Sequence, residues 1–173
     1  MACSQTLAGL CRSCEPSKGG IVEVYIANAA DVTAALGEGK ITGVTIASGA
    51  SFHKYEFRRN TGSMTSTLNV DAAAGTSYVT TELILQFNKM DTQKRIEIAA
   101  LSLGDLVIIV KDANGLFWYL GYDVPVNASA GTGQTGQNAG DGNFYQITLA
   151  DESASYPYEV LDSVVEGLSA TCA

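Results

Sequence analysis

No lysine or arginine follows Lys111. Residues 112–173 carry eight acidic side chains (Asp112, Asp123, Asp141, Asp151, Glu152, Glu159, Asp162 and Glu166), whereas residues 1–111 carry ten acids and ten bases, so the net charge of −8 lies wholly in the last third. A protein that grips phosphates needs lysine and arginine to displace counterions. The charge distribution therefore argues against nucleic-acid binding and suits a surface to which nucleic acid must not stick. Charged residues of all kinds are scarce, at 16%, below the usual quarter. Two readings follow from that shortage: a surface covered by partners, or an exterior built from Ser, Thr and Asn.

Long hydrophobic runs are also missing. Leu106–Val110 is the longest near the centre, far short of the roughly 20 residues a membrane span needs. The first residues, MACSQTLAGLCRSC, have no basic segment and no continuous apolar one. Leu7-Ala8-Gly9 resembles a lipoprotein cleavage site, but Leu10 separates it from Cys11. No signal peptide and no membrane insertion are expected, and synthesis is expected in the cytoplasm. The four cysteines, Cys3, Cys11, Cys14 and Cys172, all lie near the termini. Cys11-x-x-Cys14 has no second pair to complete a four-ligand zinc site, and the single histidine, His53, is distant. Packing or inert thiols are the better reading, and a later disulfide would have a pairing the sequence does not give.

What is present is β-structure at 173 residues, enough for one domain. LVIIVKDANGLFWYLGY (106–122) reads as two strands about a tight turn. Val107–Val110 is β-branched and apolar, as in a strand buried on both faces. Asp112, Asn114 and Gly115 supply the turn. Further strands are expected at Gly20–Ala27, Lys40–Ala47, Ser51–Arg59, Ser63–Val70, Tyr78–Phe87, Phe144–Leu149 and Tyr158–Leu161. In Ser63–Val70, period two puts Met64, Leu68 and Val70 on one side. Asn28–Gly39 reads as a polar segment with one short helical turn capped at Asp31.

One convincing helix is expected over residues 91–103, capped by Asp91 and stopped by Gly104. Its apolar positions Ile96, Ala99, Ala100 and Leu103 are expected to pack on the Phe117–Tyr119 strand, around Trp118. Asn127–Asn143 reads as a long polar loop, disordered or extended until a neighbour orders it. The fold class is α+β, mainly antiparallel β: a β-sandwich or partly open barrel with one flanking helix. Residues 1–19 form an arm, 20–162 a single β-rich domain and 163–173 a tail.

Motifs with chemical meaning dissolve on inspection. Gly131-Thr-Gly133-Gln-Thr-Gly136 matches G-x-G-x-x-G, but no helix opens at its third glycine, so a loop is favoured over a phosphate cradle. His53 with Glu56, Ser51 and Ser63 lacks a buried orienting acid and an oxyanion hole. Asp151-Glu152 has no third carboxylate spaced to join it. Asn127-Ala-Ser129 is a glycosylation sequon that matters only in a secreted chain. Lys54, Arg58 and Arg59 suit a strand face or subunit interface better than a nucleic-acid site. No catalytic residue, cofactor or metal site is expected.

Four stretches, Gly20–Asn28 (GIVEVYIAN), Phe57–Asp71 (FRRNTGSMTSTLNVD), Tyr78–Ile98 (YVTTELILQFNKMDTQKRIEI) and Val110–Gly121 (VKDANGLFWYLG), together resemble small virion proteins of tailed phages that infect Bacteroides-like bacteria. The resemblance covers most of residues 19–160 and implies a tail-tube or neck-ring subunit. It implies a tail-tube-like sandwich, self-association into single or stacked rings, contact with other tail or neck proteins, and DNA only as non-specific passing cargo. Assembly in the host cytoplasm and residence in the virion would follow. In such a channel Asp123, Asp141, Asp151 and Glu152 are the expected acidic contributors to the lumen, against the plainer expectation of an acidic outer surface that keeps assemblies soluble. A capsid decoration protein or a receptor- or carbohydrate-binding β-module is the rival reading.

Overall fold

The computed structural model describes residues 8–168 and 170–171. In chain order the strands are β1 (Ile21–Asn28), β2 (Val32–Gly37), β3 (Lys40–Ile46), β4 (Phe52–Tyr55), β5 (Gly62–Asp71) and β6 (Thr76–Asn88). Helix α1 (Thr92–Leu103) follows, then β7 (Leu106–Asp112), β8 (Phe117–Leu120), β9 (Asn127–Gln134), β10 (Phe144–Ser153) and β11 (Tyr158–Val160). Helix α2 (Asp162–Glu166) and β12 (Ala170–Thr171) close the chain. The fold is a mainly antiparallel β-sandwich with one long helix, not closed into a barrel. Sheet A has the strand order β12-β4-β1-β7-β8-β11-β3-β2, and sheet B has β5-β6-β10-β9. Among the described strands only β11–β3 and β12–β4 pair in parallel.

Strand β7 organises both sheets. Its first five residues are all buried, as a β-branched apolar run predicts. Ile108 and Val110 turn toward sheet B and join Val24, Ile26, Leu83, Leu85, Ile147 and Leu149 in a first core. Val107 and Ile109 turn the other way, into a second core with Ile41, Phe52, Phe117, Tyr119 and Val160. The turn after β7 is held by the Asp112 carboxylate, which accepts from the Asn114 and Leu116 N–H groups at 2.8 and 2.9 Å. Gly115 takes φ +91° there, a conformation that favours glycine.

Helix α1 is capped by Asp91, whose side chain accepts from the Lys94 N–H at 2.8 Å. Its orientation differs from the sequence expectation. Leu101 is buried and Ile98 packs on the first core, while Ile96 and Leu103 are 54% and 90% exposed. The helix lies against β9 and β10. Two interleaved sets of positions were available on this helix. The inward one is fixed by Leu101 and by Glu97, which accepts a hydrogen bond from the Tyr55 hydroxyl. Phe117 and Tyr119 face the second core, away from α1, and only Trp118 shares the first core with Leu101.

Other boundaries shift for identifiable reasons. Residues 127–134 are strand β9, paired with β10, rather than loop. Backbone hydrogen bonds hold this Gly- and Ala-containing edge without apolar alternation, so periodicity had nothing to detect. Residues 29–31 form a 3-10 turn, and Val32–Gly37 continues as a strand against β3. The third expected strand shortens to Phe52–Tyr55. On β5, Leu68 and Val70 share a side with Met64 but are 48% and 66% exposed, because the β5–β6 hairpin outruns the sandwich.

Ile109 is fully buried between β1 and β8. Ile109→Ala is expected to cost about 2–5 kcal/mol, read as a lower denaturant midpoint at unchanged slope.

Candidate functional site

Among the described residues, the outer face of sheet B is a surface left open to solvent. It follows from period-two alternation on β6. Val79, Thr81, Leu83, Leu85 and Phe87 point inward and are buried. Thr80, Glu82, Ile84 and Gln86 therefore point outward. The register carries this across the sheet. Thr67, Thr80 and Glu152 form one outer row, Thr65, Glu82 and Ala150 the next, and Ser63, Ile84 and Thr148 a third. The side chains of α1 and α2 pack into the first and second cores respectively, so neither helix covers this face.

Hydroxyls and amides dominate the face, with Ile84 and Ala150 among them and a few acids. Asn69 donates to the Thr80 hydroxyl at 3.0 Å, a cross-strand bond typical of paired polar strands. Glu82 and Glu152 are exposed on it, and Asp71 lies at its hairpin end. No Lys or Arg projects from β5, β6 or β10. Glu82 was not among the residues singled out from the sequence. The alternation of Val79, Leu83 and Leu85 would have placed it outside, but no motif marks it.

The acidic residues expected together in a lumen are separated. Glu152 is on the outer face. Asp123 is exposed in the turn after β8 and accepts from the Ala154 N–H at 3.2 Å. Asp141 is exposed in the turn after β9, where its carboxylate accepts from the Gln137 and Asn138 N–H groups. Asp151 is 5% exposed and points inward, on the same side of β10 as Ile147 and Leu149. It cannot contribute to any channel wall. Gly121, held at φ +88° with its missing Cβ only 2.9 Å from the Leu106 carbonyl oxygen, donates its N–H to Asp151 Oδ2 at 3.2 Å. Asp151 Oδ1 has no hydrogen-bond partner among the described residues. Burial raises the Asp151 pKa, opposed by bonds from the Gly121 N–H and the Ser153 and Thr81 hydroxyls.

The remaining candidates disperse. Gly131 and Gly133 are strand residues of β9 and Gly136 is in the following turn, so no helix N-terminus forms there. His53 is exposed on β4 and lines an open cavity of about 600 Å³ with Asp31, Ser51, Tyr55 and Glu97. Glu56 turns instead to Lys54, at 3.7 Å. Lys54 is held by Glu23 at 3.2 Å, leaving Arg58 and Arg59 exposed in the following turn. The sequon Asn127 donates to Asp105 at 2.7 Å. Cys11 and Cys14 are exposed, and Cys3 and Cys172 lie outside the described residues. No group of three metal-ligating side chains forms among the described residues, and none of their helices is long and apolar enough to cross a membrane. No protein-family model, curated protein or solved structure matches the chain.

Asp151 predicts a pH dependence. Its raised folded-state pKa means that the folded chain holds the proton more tightly than the unfolded chain. That contribution is complete below the unfolded carboxylate value of about 3.9 and is lost as pH rises through the folded value. Asp151→Asn is therefore expected to gain on the wild type between about pH 4 and pH 7, measured by urea midpoints at the two pH values.

Proposed function

We propose that this chain is a non-enzymatic structural subunit of a tailed phage, assembling in the host cytoplasm into homomeric rings of a tail tube or head-to-tail neck that conduct DNA. The observation that carries this reading is the outer face of sheet B. A wall facing duplex DNA meets about one negative charge per 1.7 Å of axis. Cations would bind it and stall it, whereas hydroxyls, amides and two carboxylates let it slide. A face of that kind, free of Lys and Arg across β5, β6 and β10, suits a conduit.

Strand edges support the ring. Monomeric proteins guard an open edge with Lys, Pro, a bulge or a short strand. Strand β5, GSMTSTLNVD, is ten residues long with none of these, and its register against β6 is unbroken. Its partner on the other side is another subunit, which closes the ring and removes the edge. The resemblance of residues 19–160 to phage tail-tube and neck-ring proteins points the same way.

Electron microscopy of the purified chain is expected to show rings with a central channel. A monomer that binds glycan would instead establish the receptor-binding reading. In phage particles, Glu82→Lys with Glu152→Lys is expected to leave assembly intact and slow DNA ejection, with the corresponding Gln variants close to wild type. Intact particles with unchanged ejection in the Lys variant would remove sheet B from the channel wall.

A further inference from the structure

Away from sheet B, the molecule holds the cavity of about 600 Å³ that His53 lines. It lies where β1, β4, helix α1 and segments 29–31 and 48–51 meet. Its floor is apolar: Ile26, Ala27, Leu101 and Leu106 line it and are each at most 5% exposed. Main-chain bonds fix its walls. The Asp31 carbonyl oxygen accepts from the Ala47 N–H at 2.8 Å, which ties the 29–31 turn to the start of the 48–51 segment. The Ala29 N–H donates to the Asp105 carbonyl oxygen at 2.9 Å, which ties the same turn to the link between α1 and β7. A pre-formed concavity of this volume with an apolar floor and a few polar groups has the make-up of a small-molecule site.

The polar groups are mainly acids. Asp31 and Glu97 line the cavity from different elements, and neither makes an ion pair among the described residues. No Lys or Arg among the described residues lines it, and His53 is its one basic side chain. Lys94, one turn before Glu97, is held by Asp91 instead, and Lys54, beside His53 and Tyr55, by Glu23. Glu97 is half-buried, and it accepts a hydrogen bond from the Tyr55 hydroxyl. Burial, and then the Glu97 carboxylate, raise the Tyr55 pKa, so the hydroxyl keeps its proton and donates. That bond brings Glu97 no charge. A half-buried carboxylate whose partner is neutral favours a cation beside it.

The wall selects among cations. A bare metal ion needs converging ligands, and no group of three metal-ligating side chains forms among the described residues. The apolar floor calls for a ligand with a hydrocarbon body. A quaternary ammonium is held by a cage of aromatic faces, whereas Tyr55 is the one Phe, Tyr or Trp lining the cavity among the described residues. Two carboxylates with the Ser48 and Ser51 hydroxyls suit the three N–H donors of a primary ammonium. We propose that this cavity binds a small aliphatic primary amine, its ammonium group on the Asp31 and Glu97 carboxylates and its hydrocarbon chain on Ile26, Leu101 and Leu106. None of these residues belongs to sheet B, so the site stands apart from the ring proposal.

The test is calorimetric titration of the full-length chain with n-hexylamine near neutral pH in about 50 mM salt. Hexanoate offers the same body with the opposite charge, and choline offers the charge without N–H donors. Wild type is expected to bind hexylamine saturably at one site, with hexanoate and choline at least about tenfold weaker. Asp31→Asn with Glu97→Gln is expected to bind at least about tenfold more weakly. Ala100→Phe keeps every charge and adds a ring to the wall from an exposed position of α1, and the same loss is expected. Hexylamine is also expected to raise the urea midpoint of wild type and not that of Ala100→Phe. Circular dichroism checks that the variants fold, and Asp31→Asn alone replaces the double variant if that one does not. Wild-type affinity in Ala100→Phe reports general attraction to an acidic protein and overturns the site. No saturable binding by wild type, or choline bound as tightly as hexylamine, overturns it too. Nα-acetyl-lysine amide bound more tightly than hexylamine overturns the free amine in favour of a peptide lysine. Rings in electron microscopy without amine binding leave the proposed function standing, and amine binding by a chain that forms no rings leaves the site standing.

Discussion

A strand that water reaches on neither face is the constraint from which the rest of this molecule follows. Five consecutive buried residues on β7 need apolar partners on both sides. Sheet B supplies one side. Sheet A supplies the other, from its own outlying strands, with Ile41 of β3, Phe52 of β4 and Val160 of β11 meeting over Val107 and Ile109. Sheet A therefore serves two cores, and sheet B serves one. The asymmetry leaves the outer face of sheet B bare, so the polar wall is a consequence of where the apolar material was spent.

Much of this was legible in the residues. The β-branched run Val107–Val110 announced a strand buried on both faces, and Asp112, Asn114 and Gly115 announced its turn. Residues 163–173, expected as a tail, hold most of α2 and strand β12, and two other strands that were missed share a cause. β9 and β2 are edge strands poor in large apolar residues, held by main-chain hydrogen bonds that side-chain periodicity does not report. Helix α1 was located well and rotated wrongly. Ile96, Ala99, Ala100 and Leu103 look like a buried stripe, but the inward face is chosen by tertiary partners, Leu101 into the first core and Glu97 to the Tyr55 hydroxyl. A moment computed along one helix cannot see those partners.

The candidate surface was half legible. Counting charges located a base-free third of the chain, and Glu152 came from that count. Asp151 came from it too, yet strand alternation sends neighbours to opposite faces, so one carboxylate is on the wall and the other inside it. Glu82 lies in the charge-balanced part of the chain and joins the wall only through pairing with Thr65 and Ala150. A surface assembled from three strands far apart in sequence has no local signature.

Strand β11 sets an order on how the chain can fold. It lies between β8 and β3, so the β2–β3 hairpin reaches the body of sheet A only through Tyr158–Val160. That hairpin is made early in synthesis and must wait for a segment more than a hundred residues later. Loop closure over such a separation is slow, and until it happens Ile41 and its neighbours lack their cover. A nascent or prematurely ended chain therefore cannot present a finished sheet A. Completion of sheet A is thereby tied to the synthesis of Tyr158–Val160, long after the hairpin itself has been made.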